Sequence, residues 1–219
     1  MAYNFTAASG QSLTAPISTA TRVTGEITLA AWIKSTGVYN SPVSLLVNRG
    51  ASAADGRAYS LELNSSGQLS SNINSTGLGA NNFVTTGTTV VGTNASHAAA
   101  TFSPSSFSRV YLNGSQNAER TSGVPGSIAD IGLYGLRFGG ATGTSLSFNG
   151  TIAEVGIWNA ALTAAEIASL AKGMTCDKIR PQNLVFYAPL VRDLNDQKGG
   201  LTITNNNGAT VANHPRVYA

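Results

Sequence analysis

Residues 148–173 read FNGTIAEVGIWNAALTAAEIASLAKG, and the pattern of this stretch decides the fold. Within 152–158, Ile152, Glu154, Gly156 and Trp158 alternate with Ala153, Val155 and Ile157. A period of two with a β-branched and aromatic bias predicts a strand. Thr163 then stands as an N-cap, with Glu166 three residues on to close a capping box. Leu162 before the cap and Ile167 at the fourth helical position form a hydrophobic staple. Gly173 sits where a left-handed residue ends a helix. Strand, turn and one short helix follow from local physics, and no chemistry follows from them alone.

The same residues, G-x-I-A-E-V-x-I-W-N-x-x-L-x-x-x-E-I from Gly150 to Ile167, resemble the closing segment of laminin-G-like domains of the concanavalin A-like superfamily. A second match lies upstream. His97, Ala99, Ala100, Thr101 and Phe102, followed by Tyr111, Asn113 and Gly114, resemble the family's H-x-A-A-T-[FY] strand and the Y-x-N-G that ends the next one. Two departures stand beside it. Gly92-Thr93-Asn94 lacks the Trp usual before the His, and Ser103-Pro104-Ser105-Ser106 lacks the acidic turn residue. The resemblance implies an all-β fold, a two-sheet antiparallel jelly-roll sandwich with one short α-helix near 163–172.

Working outward, residues 25–35 (GEITLAAWIKS) read as an inner strand, apolar on both faces. Residues 57–64 and 68–74 bracket Ser65-Ser66-Gly67 as a hairpin, and Asn113-Gly114 is a type I′ turn signal. Residues 76–94 read as long loops plus one strand. After the helix, Leu184–Ala188 and the two residues beyond it (LVFYAPL), with Asp193, Asp196 and Gly199-Gly200 following, resemble how laminin-G-like domains begin. Thirty-six residues cannot bury a core alone, so 184–219 are expected to complete the same sandwich beside Tyr3–Phe5 as a circular permutation. A truncated second copy is the alternative. On the favoured reading, 1–219 form one domain.

Composition sets limits. The chain has 219 residues, of which Ser, Thr and Asn make 66, and only 11% are charged. Such a polar, nearly uncharged surface suits strands and turns, while 42% hydrophobic residues suffice for a core. The net charge of +3 comes from thinly spread cations, so no stripe exists to follow a phosphate backbone, and nucleic acid is excluded as a partner. No run is long and apolar enough for a membrane helix, and no signal peptide is expected. Cys176 is the single cysteine, read as a small apolar filler.

Catalysis is disfavoured. Glycoside hydrolysis needs two carboxylates facing one sugar, yet no two of the ten acids lie two or four apart on a predicted strand. No nucleophile elbow accompanies His97 or His214. Calcium is the one cofactor to weigh: Asp193, Asn195 and Asp196 form a compact oxygen-rich cluster, which reads equally as a turn. Sugar recognition needs an aromatic platform with polar donors. Tyr39, Tyr134 and Arg137, in loops or on a sheet face, with Asn72 and Asn74 on a shared concave face, are the candidate ligand residues, whereas Trp32 and Trp158 are expected in the core.

Two readings of function follow. His214-Pro215-Arg216-Val217-Tyr218 resembles the endings of bacteriophage structural proteins. With low charge and no export signal, it points to a non-enzymatic virion protein on capsid or tail. Such a protein would be present in several copies among other virion proteins, able to bind a cell-surface glycan. The alternative is a secreted, lectin-like carbohydrate-binding module. A glycoside hydrolase comes third.

Overall fold

The computed structural model describes residues 2–37, 43–49, 57–75, 82–130, 132, 135–140, 147–191, 193–215 and 217. Its strands are β1 (Ala2–Phe5), β2 (Ser12–Ala15), β3 (Ile27–Ser35), β4 (Val43–Arg49), β5 (Arg57–Leu63), β6 (Gln68–Asn74), β7 (Asn82–Val90) and β8 (Ser96–Ser103). They continue as β9 (Phe107–Leu112), β10 (Ser115–Arg120), β11 (Leu136–Phe138), β12 (Gly150–Trp158), β13 (Leu184–Ala188), β14 (Thr204–Asn206) and β15 (Thr210–Ala212). The one α-helix among the described residues, α1, spans Ala164–Ala171. The strands form two antiparallel sheets. An eight-stranded sheet runs β10-β9-β8-β3-β12-β1-β15 with β13 also on β12, and a seven-stranded sheet runs β14-β2-β11-β4-β5-β6-β7. Between them lies the main core, in which Phe5, Leu29, Tyr59, Phe102, Phe138 and Phe186 are buried. Each such side chain contributes about 1.5–3 kcal/mol relative to exposure. The all-β sandwich expected from the sequence is the fold observed.

β12 departs from strict alternation. Its register against β3 slips between Ala153 and Gly156, and Glu154 there has φ +51°. One extra residue flips the phase, as a bulge does. Ile152, Val155 and Ile157 therefore face the main core while Trp158 faces outward into a second cluster. The shared face expected for Ile152 and Trp158 is thus corrected by the bulge. Its cause is non-local: along its other edge β12 pairs first with β1 through residues 150–152, then with β13 through 155–158, and Glu154 stands at the handover. The last strands also tie into both sheets, β14 on β2 and β15 on β1.

The second cluster covers part of the outer face of the eight-stranded sheet. Trp158, Leu162, Ile167, Leu170, Cys176 and Ile179 pack there on Ala30, Ala99 and Tyr111. The indole of Trp158 donates to the Ile179 carbonyl at 2.8 Å. The buried Thr28 hydroxyl donates to Ala160 O at 2.7 Å and accepts from Leu162 N at 2.9 Å, fixing where the chain crosses toward α1. The capping box is present: Glu166 N donates to Thr163 Oγ1, and Thr163 N donates to Glu166 Oε2 at 2.7 Å. Arg180 grips the same carboxylate at 2.9 and 2.6 Å. Asn113 and Gly114 have φ +51° and +83°, the type I′ geometry. A Cβ on Gly114 would lie 3.0 Å from that of Ala171, so this hairpin needs glycine to dock on α1.

Candidate functional site

The seven-stranded sheet turns a different surface outward. Its inward residues include Leu136, Phe138, Tyr59, Leu61, Leu69 and Ile73. The register places the intervening residues on one cross-strand row: Thr14 on β2, Arg137 on β11, Val47 on β4, Ser60 on β5, Asn72 on β6 and Val84 on β7. Two of the residues proposed from sequence, Arg137 and Asn72, thus share a row three strands apart, about 14 Å at the usual strand spacing. Asn74, two residues beyond Asn72, is on the same face but fully buried with its side chain engaged. Tyr39 and Tyr134 lie outside the described residues. Ser70 and Thr86 form the adjacent row, their hydroxyls 3.1 Å apart, and Glu62 beside them is paired with Arg57.

This row holds three groups whose hydrogen-bonding capacity is unspent. Arg137 is half-buried and has no ion pair or hydrogen bond among the described residues. Burial lowers its pKa from the ordinary guanidinium value, yet an arginine stays protonated, so five N–H donors await acceptors. Ser60 Oγ and Asn72 Oδ1, buried on neighbouring strands, lack hydrogen-bond partners. Each such group costs about 1–3 kcal/mol while unpaired. Sequence reasoning named Arg137 and Asn72 but missed Ser60, which only its pairing with Asn72 singles out.

The oxygen-rich turn is built differently. Asp196 is buried, and its carboxylate accepts from the backbone N–H groups of Tyr187, Lys198 and Gly199, each at 2.9 Å. Asp193 is exposed and takes the Gln197 amide at 3.2 Å. Asn195 contributes a backbone bridge to Thr202. Both oxygens of Asp196 are thus committed to the turn. No group of three or more His, Cys, Asp or Glu residues suited to a metal ion occurs among the described residues.

Most of the remaining charged groups among the described residues are internally matched. Arg22 pairs with Asp130, Arg109 with Glu119, Lys178 with Asp177 and Arg180 with Glu166. Glu26 accepts from Ser103 Oγ at 2.9 Å, and Glu154 accepts from Tyr187 Oη at 2.7 Å. Every carboxylate among the described residues has a hydrogen-bond or ion-pair partner. No helix among them is long and apolar enough to cross a membrane. Trp158 is buried as expected from sequence. Trp32 is corrected: it is only half-buried, because its phase in β3 turns it outward beyond the cover of α1.

A family model for the concanavalin A-like lectin/glucanases superfamily matches residues 7–168. Among solved structures, a candidate carbohydrate-binding protein from Bacteroides ovatus ATCC 8483 superposes with a TM-score of 0.71 at 18% identity, covering 100% of this chain and 61% of that one. A heptameric SAP-like pentraxin from Limulus polyphemus gives 0.59 at 17%, covering 93% and 89%. The CBM40 of the Ruminococcus gnavus IT-sialidase, bound to α2,3-sialyllactose, gives 0.57 at 16%, covering 71% and 91%. At these identities the likeness is one of fold. Among curated protein sequences none matches this chain.

Proposed function

This chain belongs to the concanavalin A-like lectin/glucanases superfamily, and we propose that within it the protein is a non-catalytic glycan-binding module using the outer face of its seven-stranded sheet. The observation that carries this reading is the row on which a half-buried, unpaired Arg137 shares a face with the unpartnered Ser60 and Asn72 oxygens. A saccharide presents many hydroxyls, each donor and acceptor at once, and so complements a row of guanidinium, hydroxyl and amide. Pairing these groups on binding recovers what their burial costs in the free protein. The engaged carboxylates support binding over hydrolysis. The fold shared with structures described as carbohydrate-binding supports the same choice. The virion role expected from sequence has no comparable support, and the lectin-like alternative is the better founded of the two.

Glycan-array screening of the protein beside Arg137→Ala and Asn72→Ala tests this reading. The parent protein should bind at least one class of glycan, and each variant should lose most of that signal while keeping its fold. Unaltered binding by both variants would remove this face from the account.

A further inference from the structure

The outer face of the eight-stranded sheet is only partly covered. Along β3 the outward residues run Thr28, Ala30, Trp32 and Lys34, of which the first two lie under the chain leading to α1 and the last two do not. There a cleft of about 420 Å³ opens, with Trp32, Lys34, Thr151 and Ala153 on one side and Asn94 and the segment 212–215 on the other. The register sets Ala153 opposite Trp32 and Thr151 opposite Lys34. A small residue therefore leaves room beside the indole, and a hydroxyl stands beside the ammonium. The indole rests edge-on against the His97 ring, centroids 5.5 Å apart at 67°. The side chains of Lys34, Asn94, Thr151 and Asn213 make no hydrogen bond or ion pair among the described residues.

The far wall is held in place. His214 sets Nε2 3.0 Å from Glu154 Oε1 and Nδ1 2.6 Å from the Pro215 carbonyl. Both ring nitrogens face acceptors, which only a doubly protonated imidazole satisfies with two donors. Glu154, one oxygen facing His214 and the second taken by Tyr187, has both oxygens engaged, and no carboxylate of the described residues lines the cleft. Among the described residues the site then offers an aromatic wall, two amides, a hydroxyl and the Lys34 ammonium.

We propose that this cleft is a second ligand site, on the opposite sheet from the Arg137 row, and that it takes an acidic saccharide residue of the uronic acid type. A pyranose ring has an apolar C–H face that suits the indole of Trp32. Its hydroxyls match the Asn94, Asn213 and Thr151 side chains. Its carboxylate forms a charge-assisted bond with Lys34, which a neutral sugar lacks. This site stands or falls independently of the Arg137 row.

Titrating ¹⁵N-labelled protein with sodium D-glucuronate, and in parallel with methyl β-D-glucoside at matched ionic strength, tests it. The indole N–H of Trp32 is the reporter, and that of Trp158, bonded to Ile179 in the second cluster, is the internal reference. A saturable shift at Trp32 with no shift at Trp158 is expected, with glucuronate binding about tenfold tighter than the glucoside. Lys34→Gln, at an exposed position, should abolish that preference and leave the spectrum otherwise native. Absence of a saturable Trp32 shift, equal affinity for the two sugars, or a preference that survives Lys34→Gln would overturn the proposal.

Discussion

The two sheets turn very different surfaces away from the core. Where α1 lies on the eight-stranded sheet, Ala30, Ala99, Tyr111 and Trp158 are sealed beneath Leu162, Ile167 and Leu170, and the buried Trp158 and Thr28 polar groups have partners. On the seven-stranded sheet the corresponding outward row carries Arg137, Ser60 and Asn72 with unspent hydrogen-bonding capacity. On the proposed function, the first surface serves stability and the second serves a partner. A mutation on one should therefore read out in unfolding, and a mutation on the other in binding.

Trp158→Ala is expected to have the largest effect, a loss of about 3–5 kcal/mol in urea unfolding, because it empties the centre of the second cluster. Gly156→Ala comes next. The added Cβ would stand 2.6 Å from the Trp158 ring and 2.8 Å from Cys176 Sγ, and such overpacking costs about 1–3 kcal/mol. Arg137→Ala should move the other readout. It should lower glycan affinity by about tenfold or more, as expected for losing a hydrogen bond to a charged group. Its unfolding midpoint should stay where it was. An Arg137→Ala variant that unfolds early but binds normally would break the division between the two faces.

How far this division was legible from sequence depends on how local each feature is. The capping box at Thr163 and Glu166 and the turn at Asn113-Gly114 are set by neighbours within four residues, and both were readable. The bulge at Glu154 was not, since it arises where β1 and β13, at opposite ends of the chain, share one edge of β12. Arg137 and Asn72 were readable as polar residues on strands, but their common row depends on the pairings through β4 and β5. Ser60 was invisible among 66 Ser, Thr and Asn residues until Asn72 stood opposite it. Trp32 looked like Trp158 in pattern, and only the reach of α1 separates them.

Ser60→Ala sharpens the comparison most. Removing a buried hydroxyl without a partner should leave the free protein as stable or more stable, by up to about 1 kcal/mol, while weakening glycan binding. Thr163→Ala, which deletes a satisfied cap, should instead cost about 1 kcal/mol and leave binding untouched.

The smallest expected effect concerns pH. His214 faces Glu154 from β12 and the positive amino terminus, with Lys34 across the cleft, and Tyr187 from β13 shares the Glu154 carboxylate. Burial lowers its pKa and so does the positive amino terminus, but the bonds to Glu154 and the Pro215 carbonyl outweigh them and raise it above 6.5. A raised folded-state pKa means that the seat of segment 212–215 is fully stabilised below about 6.5 and loosens as pH rises through the folded value. Amide exchange at Val211 and Ala212 should therefore quicken over that interval beyond its ordinary base dependence, and His214→Gln should flatten the extra rise.

A crystal structure of the protein with an oligosaccharide identified on the array tests the central claim most directly. The account predicts sugar hydroxyls within hydrogen-bonding distance of the Arg137 guanidinium and of Asn72 or Ser60. A glycan held with none of these three in contact would contradict it.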